Sequence, residues 1–314
     1  YTLSLHDALP ISATFLRDES HADVLRVRGL DTLDLLHRLS TSALASLRVG
    51  EARETLLTTE KGRVIDAVVV LPSDSGARLL CSVGRGTAVQ QWLEKFTIME
   101  DCEYTLVSAL YGQFALYGTL PAMPIDVPDE GQLRTVDIGG VPVDVLRLSR
   151  VTGASLLLLC RRDESGRMLD ALSSHDIPVI AEEDFLRWRV RNLVPAVGNE
   201  LGELSNPLEA GAGAVVDFHK GCYIGQEVIA RLDSYDKVQR QLVRLRWHAA
   251  LPAESLPGQQ LLDDARDAGF VTTQVSEADG SSQIGIGCVR KTWASPGTVL
   301  HCLVDGETVE ITVE

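Results

Sequence analysis

The chain has 314 residues, 45% of them apolar, which is enough to bury the cores of two or three lobes and excludes disorder over most of its length. Its 44 acidic side chains outnumber 29 Lys and Arg, and the formal charge of −15 excludes a nonspecific grip on nucleic acid, which needs a concentrated basic face. A small or cationic ligand, or another protein, suits that charge better.

No apolar run reaches the length of a membrane span, and no basic-then-apolar signal segment is visible. The opening 1–12, YTLSLHDALPIS, begins without Met and has no clean periodicity, so it reads as a non-native or disordered leader. From Val24 a short strand passes through Gly29 into a helix expected to be capped by Asp31, with Leu36, Leu39 and Ala43 at helical spacing. KGRVIDAVVVL and RLLCSV read as buried strands, and Val89, Trp92, Leu93 and Phe96 set out an amphipathic helix. Strands follow at EYTLVSAL, QFALYG, VPVDVLRL and SLLLLC, broken by a loop at 121–128 and a helix at SGRMLDALSS. The pattern predicts a pair of related α+β subdomains up to residue 237.

A helix over Glu182 to Leu193 leads into an irregular stretch. From residue 238 the period changes: Val243, Leu245 and Trp247 alternate with Arg244 and Arg246, and four more strands recur at short intervals. That predicts an antiparallel β-barrel over 238–314. GIGCVR within it lacks the third glycine of a dinucleotide fingerprint and reads as a closely packed barrel strand.

The six cysteines, Cys81, Cys102, Cys160, Cys222, Cys288 and Cys302, show no paired zinc or redox spacing, and the seven histidines show no ligand spacing. Reduced thiols, a cytoplasmic location and no metal site are expected. The chemistry concentrates in HKGCYIGQEVIAR, 219–231. A thiolate is the reactive form of cysteine, and Lys220 and His219 lie close enough in sequence to favour it at Cys222. Gly221 and Gly225 let the backbone bend on both sides of the thiol. Gln226 and Glu227 add an amide and a carboxylate, and Glu227 could pair with Arg231 or accept from a donor-bearing heterocycle. The plain alternative is a hairpin with Tyr223 and Ile224 turned inward and Cys222 as a small buried hydrophobe. Asp66, inside an apolar strand, needs a partner such as Arg63 or a ligand.

KGCYIGQE with Arg231 after it resembles the signature of the YgfZ-type folate-binding proteins of iron–sulfur cluster assembly and repair. NPLEAGAGAVVDF, GIGCVRK and GLDTLDLLHRLST extend that resemblance, more loosely, over nearly the whole chain after residue 13. The layout is also similar to the glycine cleavage T-protein, the aminomethyltransferase. The resemblance implies an α+β, T-protein-like three-lobed fold around a cleft for tetrahydrofolate or another reduced folate. It also implies iron–sulfur client or assembly proteins as partners, with no membrane or nucleic-acid partner. Within it Cys222 and Lys220 would be catalytic, and Asp66, Tyr223, Gln226, Glu227, Arg231 and Arg191 would lie at the folate.

Two departures from the T-protein pattern stand out. GRVIDA keeps Asp66 but has Ala67 where the T-protein has a second acid. An ungapped alignment back from Glu200 puts Arg191 where a pterin-holding glutamate is expected, and an arginine donates only. Glu200 and Glu209 are the candidate substitute carboxylates. The alternatives are a folate-dependent aminomethyltransferase and a module that kept the fold without the ligand.

Overall fold

The computed structural model describes residues 14–118, 126–173, 177–234, 238–248, 251–252 and 255–314. The leader 1–12, most of the 121–128 loop and the last residue of SGRMLDALSS lie outside the described residues.

The chain opens with β1 (Phe15–Asp18) and β2 (Ala22–Arg28), then α1 (Thr32–Leu39), β3 (Arg53–Thr58), β4 (Val64–Ser73), β5 (Gly76–Val83), α2 (Gly86–Phe96) and β6 (Glu103–Leu106). β7 (Tyr111–Tyr117), β8 (Leu133–Ile138), β9 (Val141–Arg147), β10 (Ala154–Arg161), α3 (Ser165–Leu172) and α4 (Glu182–Arg191) follow. Two antiparallel five-stranded sheets result, ordered β3-β4-β5-β2-β6 and β8-β9-β10-β7-β1. The first four strands of each order correspond one to one, and each sheet is followed by a helix. The fifth position differs in origin: β6 follows α2 in the chain, whereas β1 comes from the start of the chain to pair with β7, Phe15 opposite Tyr117.

The continuous apolar runs have a direct cause. In β4, Val69 and Leu71 face a core shared by the two sheets, while Val68 and Val70 face α1 and α2. In β10, Leu157 and Leu159 face the shared core, and Leu156, Leu158 and Cys160 face Met168 of α3. Strands covered on both faces lose the polar alternation of a half-wet sheet, and each Leu or Val so buried stabilises by roughly 1.5–3 kcal/mol.

The third lobe is a closed six-stranded barrel, β11 (Arg240–Trp247), β12 (Gln260–Asp263), β13 (Arg266–Ser276), β14 (Gln283–Arg290), β15 (Val299–Val304) and β16 (Glu307–Val313). GIGCVR is the C-terminal part of β14, and a Cβ at Gly285 would lie 2.2 Å from the Thr273 carbonyl oxygen, which explains the glycine. α4 joins the barrel to the sheets: Val190 packs on Val275, Ile284 and Ile286, and Phe185 and Trp188 pack into the shared core.

Two local expectations are corrected. Asp31 stands at the start of α1, but its carboxylate accepts the Asp101 N–H at 2.8 Å and makes no cap bond to the helix. Ala43 lies beyond α1, which ends at Leu39.

Candidate functional site

A cavity of about 600 Å³ opens where the sheets, α4 and the barrel meet. Aromatic packing shapes one wall. Tyr117 lies 5.3 Å from Phe15, 4.9 Å from Phe185 and 5.4 Å from Trp188, and the Arg17 guanidinium sits 4.0 Å above the Phe185 ring. The Tyr117 hydroxyl donates to Glu19 at 2.6 Å, and burial, reinforced by Glu19, holds the phenol well above its ordinary range. Arg17 bridges Glu19 at 3.1 Å and Glu182 at 2.9 Å.

Arg150 completes this wall. Its Nε donates to Glu54 at 3.0 Å, and the second Glu54 oxygen accepts the Val151 N–H at 2.7 Å. Burial alone would lower the Arg150 pKa and it raises that of Glu54; the charges of Glu54 and Glu19 outweigh burial for Arg150, so the guanidinium stays charged.

On the barrel side Arg189 of α4 donates to Glu200 at 2.6 Å, to Thr273 Oγ1 at 2.6 Å and to the Val194 carbonyl at 3.0 Å. Glu200, fully buried, also accepts from the Thr272 and Thr273 hydroxyls at 2.6 Å and the Ala196 N–H at 2.9 Å. This residue is a joint between α4, the following loop and the barrel, not a solvated loop charge. The cavity is thus lined by carboxylates and guanidinium groups in front of a buried aromatic cluster, and such groups suit a ligand with N–H donors and an anionic tail.

Arg191 does not face it. Two residues apart on an α-helix is a rotation of about 200°, so Arg189 turns to the cavity and Arg191 to the far side, where it pairs with Glu277. Asp66 is buried behind the wall: Oδ1 accepts the Ala67 N–H at 2.8 Å and Oδ2 the Ser82 N–H at 3.0 Å. Burial raises its pKa. Asp66 does not pair with Arg63; backbone amides at the β4–β5 pairing answer the carboxylate.

The Cys222 segment lies apart from the cavity, which none of residues 219–231 lines. Asp217 Oδ1 accepts the His219 and Lys220 N–H groups at 2.9 and 3.1 Å and starts the turn. Gly225 has φ +84°, and a Cβ there would sit 2.6 Å from the Thr59 carbonyl oxygen, so the chain lies flat on the β3–β4 hairpin. Thr58 Oγ1 donates to the Ile224 carbonyl at 2.6 Å. The segment then enters α5 (Gln226–Ser234), a helix in place of the hairpin weighed from sequence.

Lys220 is spoken for. Its Nζ donates to the carbonyls of His37, Ser40 and Ser42 at 2.5, 2.6 and 2.8 Å, satisfying groups at the end of α1 that the helix itself leaves open. Desolvation brings the ammonium down to about 8, against the opposing pull of Asp217. Tyr223 is buried among Val216, Ile229, Leu208 and Phe218, and burial pushes its phenol up to about 12. Cys222 is exposed, whereas Cys81, Cys160, Cys288 and Cys302 are buried and Cys102 is half-buried. Gln226 is half-buried, and Glu227 and Arg231 are exposed on α5 with no salt bridge among the described residues. The structure brings Cys222, Tyr223 and Lys220 into one turn and leaves Asp66 and Arg191 elsewhere. Among the described residues no cluster of His, Cys, Asp or Glu suits a metal ion, and no helix is long and apolar enough to cross a membrane.

Sequence reasoning missed Arg17, Glu19, Glu54, Arg150, Glu182 and Arg189. Only Arg189 left a signal, as a cation between Trp188 and Val190 on a helix that packs on both sides.

The model of the GCVT N-terminal domain family matches residues 11–220. The Arabidopsis thaliana protein named "Putative transferase At1g60990, chloroplastic" is 27% identical over 292 residues, covering 90% of this chain and 67% of its own length. The aminomethyltransferase of Geobacillus kaustophilus is 26% identical over 326 residues, covering 98% of this chain and 87% of its own. Among solved structures, the glycine cleavage system aminomethyltransferase T from Bartonella henselae superposes with a TM-score of 0.73 at 19% identity, over 99% of this chain and 86% of that one. The three-lobed fold is therefore that of the T-protein.

Proposed function

This chain belongs to the GCVT N-terminal domain family, and from that premise we propose that it is a reduced-folate-binding accessory protein for iron–sulfur cluster assembly or repair, acting through Cys222. Residues 13–237 form the folate-binding region of this reading and 238–314 its barrel domain. The observation that carries it is the exposure of Cys222 on a turn whose neighbours are all pinned: Asp217, Lys220, Ile224 and Gly225 hold the backbone while the thiol faces solvent. A buried thiol would be a core residue; a thiol presented on a fixed turn is accessible to a client protein.

The cavity supports the folate half. Glu19 and Glu182 can accept the N–H edge of a pterin, and the arginines suit the carboxylate tail. Lys220 acts as a positioning residue: it anchors the turn to α1 and has its donors committed there. Six thiols without a disulfide suit the cytoplasm or an equally reducing compartment.

Calorimetric titration with tetrahydrofolate and a rescue assay test the two halves separately. Wild type and Cys222→Ser should bind the folate equally, while Cys222→Ser should fail to restore iron–sulfur enzyme activity in cells lacking the protein. Full rescue by Cys222→Ser sinks the thiol assignment, and absence of binding leaves the ligand-free module. The relatives named aminomethyltransferase favour a second reading, transfer of a one-carbon unit to tetrahydrofolate. The occupied, wall-buried carboxylate of Asp66 stands against it, and release of a formaldehyde equivalent from an aminomethyl donor to tetrahydrofolate is the assay that would establish it.

A further inference from the structure

A second cleft, of about 370 Å³, lies between the β3–β4 hairpin, α5 and the barrel where β11 starts and β14 ends, and shares no lining residue with the central cavity. Its walls carry Lys61, Arg63, Arg240 and Arg290, with Glu209 as the one acid among them. Asp267 answers only two of the four, at 3.2 Å from Arg240 and 2.7 Å from Arg290. Lys61 and Arg63 form no salt bridge among the described residues, and Arg63 Nη1 and Arg240 Nε are buried without an acceptor. A buried guanidinium N–H left unpaired is uncommon because its desolvation is uncompensated. Cations are thus gathered, and left incompletely paired, in a chain of net charge −15.

We infer that this cleft binds a small polyanion, recognised through phosphate or carboxylate oxygens by Lys61, Arg63, Arg240 and Arg290. The small volume and the negative charge of the whole chain select a metabolite-sized anion over a nucleic acid, which the rest of the surface repels. Planar guanidinium groups favour oxygen pairs on one centre. Leu232 and Val228 of α5 form the apolar wall, so an occupant touches the helix that follows the Cys222 turn and ties it to the hairpin and the barrel.

The test is calorimetric titration of the full chain with pyrophosphate and, separately, citrate at constant ionic strength, beside Lys61→Gln and the Lys61→Gln/Arg63→Gln pair. Among the described residues neither side chain holds a salt bridge, and circular dichroism checks that both variants fold. Saturable binding of at least one anion is expected, weakened about tenfold or more in the double variant. The anion that binds names the head group. No saturable heat from either anion, or equal affinity in the wild type and the folded double variant, overturns the proposal.

Discussion

In the central cavity, charges brought from distant parts of the chain answer one another: Arg150 with Glu54 and Glu19, Arg17 with Glu182, Arg189 with Glu200. In the Cys222 segment the half-buried cation, Lys220, donates to carbonyl oxygens and lies 5.3 Å from the Tyr223 ring, and the acid and base that follow, Glu227 and Arg231, stand in solvent. The first region holds lobes together through its polar groups, so its chemistry cannot be altered without loosening the joint. The second separates anchoring from presentation, so its thiol can be exchanged while the fold stays.

The largest effect expected of that difference is at Glu200. Glu200→Ala strands the Arg189 guanidinium in a buried site and should cost about 3–5 kcal/mol, read as a lower urea midpoint. A loss below about 1 kcal/mol would show that the joint is not maintained by this pair. Gly225→Ala comes next: a side chain at φ +84°, pressed on the Thr59 carbonyl, should cost about 2–3 kcal/mol and open the turn to proteolysis. Lys220→Met removes the donor from three carbonyls and should cost about 1–2 kcal/mol. Cys222→Ser should stay within about 0.5 kcal/mol of wild type, and a larger change would mean that the thiol is part of the packing.

A pH dependence sharpens the same contrast. The Lys220 ammonium, depressed in the folded chain to about 8 from an ordinary 10.5, keeps its proton to higher pH in the unfolded chain. The unfolded state therefore binds more protons between those values, and stability relative to Lys220→Met should rise as the pH goes from about 8 to about 10.5. A fall over that window would mean that the three carbonyls hold the charged form more strongly than desolvation disfavours it.

Much of the fold was legible because it rests on local periodicity. α2 runs over the residues that spacing indicated, and β13 to β16 follow their alternating or apolar runs. β1, β3, β8 and β12 were not seen: FLRD and QLLD are too short to show a period, RETLLT is an edge strand buried almost throughout, and LRTVDI is an edge strand with little buried on either face. α5 was hidden because the glycine-rich signature drew attention from Val228, Ile229 and Leu232, which already carry helical spacing.

The α+β class, the barrel, and a signature whose cysteine stands in a glycine-flanked turn can be read from the residues, since these depend on neighbours within a few positions. Tertiary structure alone decided that Lys220 caps α1, that Arg189 rather than Arg191 faces the cavity, and that Glu19, Glu54 and Arg150 meet there. Those outcomes turn on which face a helix presents and which distant charge lies within about 4 Å, where removal from water makes pairing decisive.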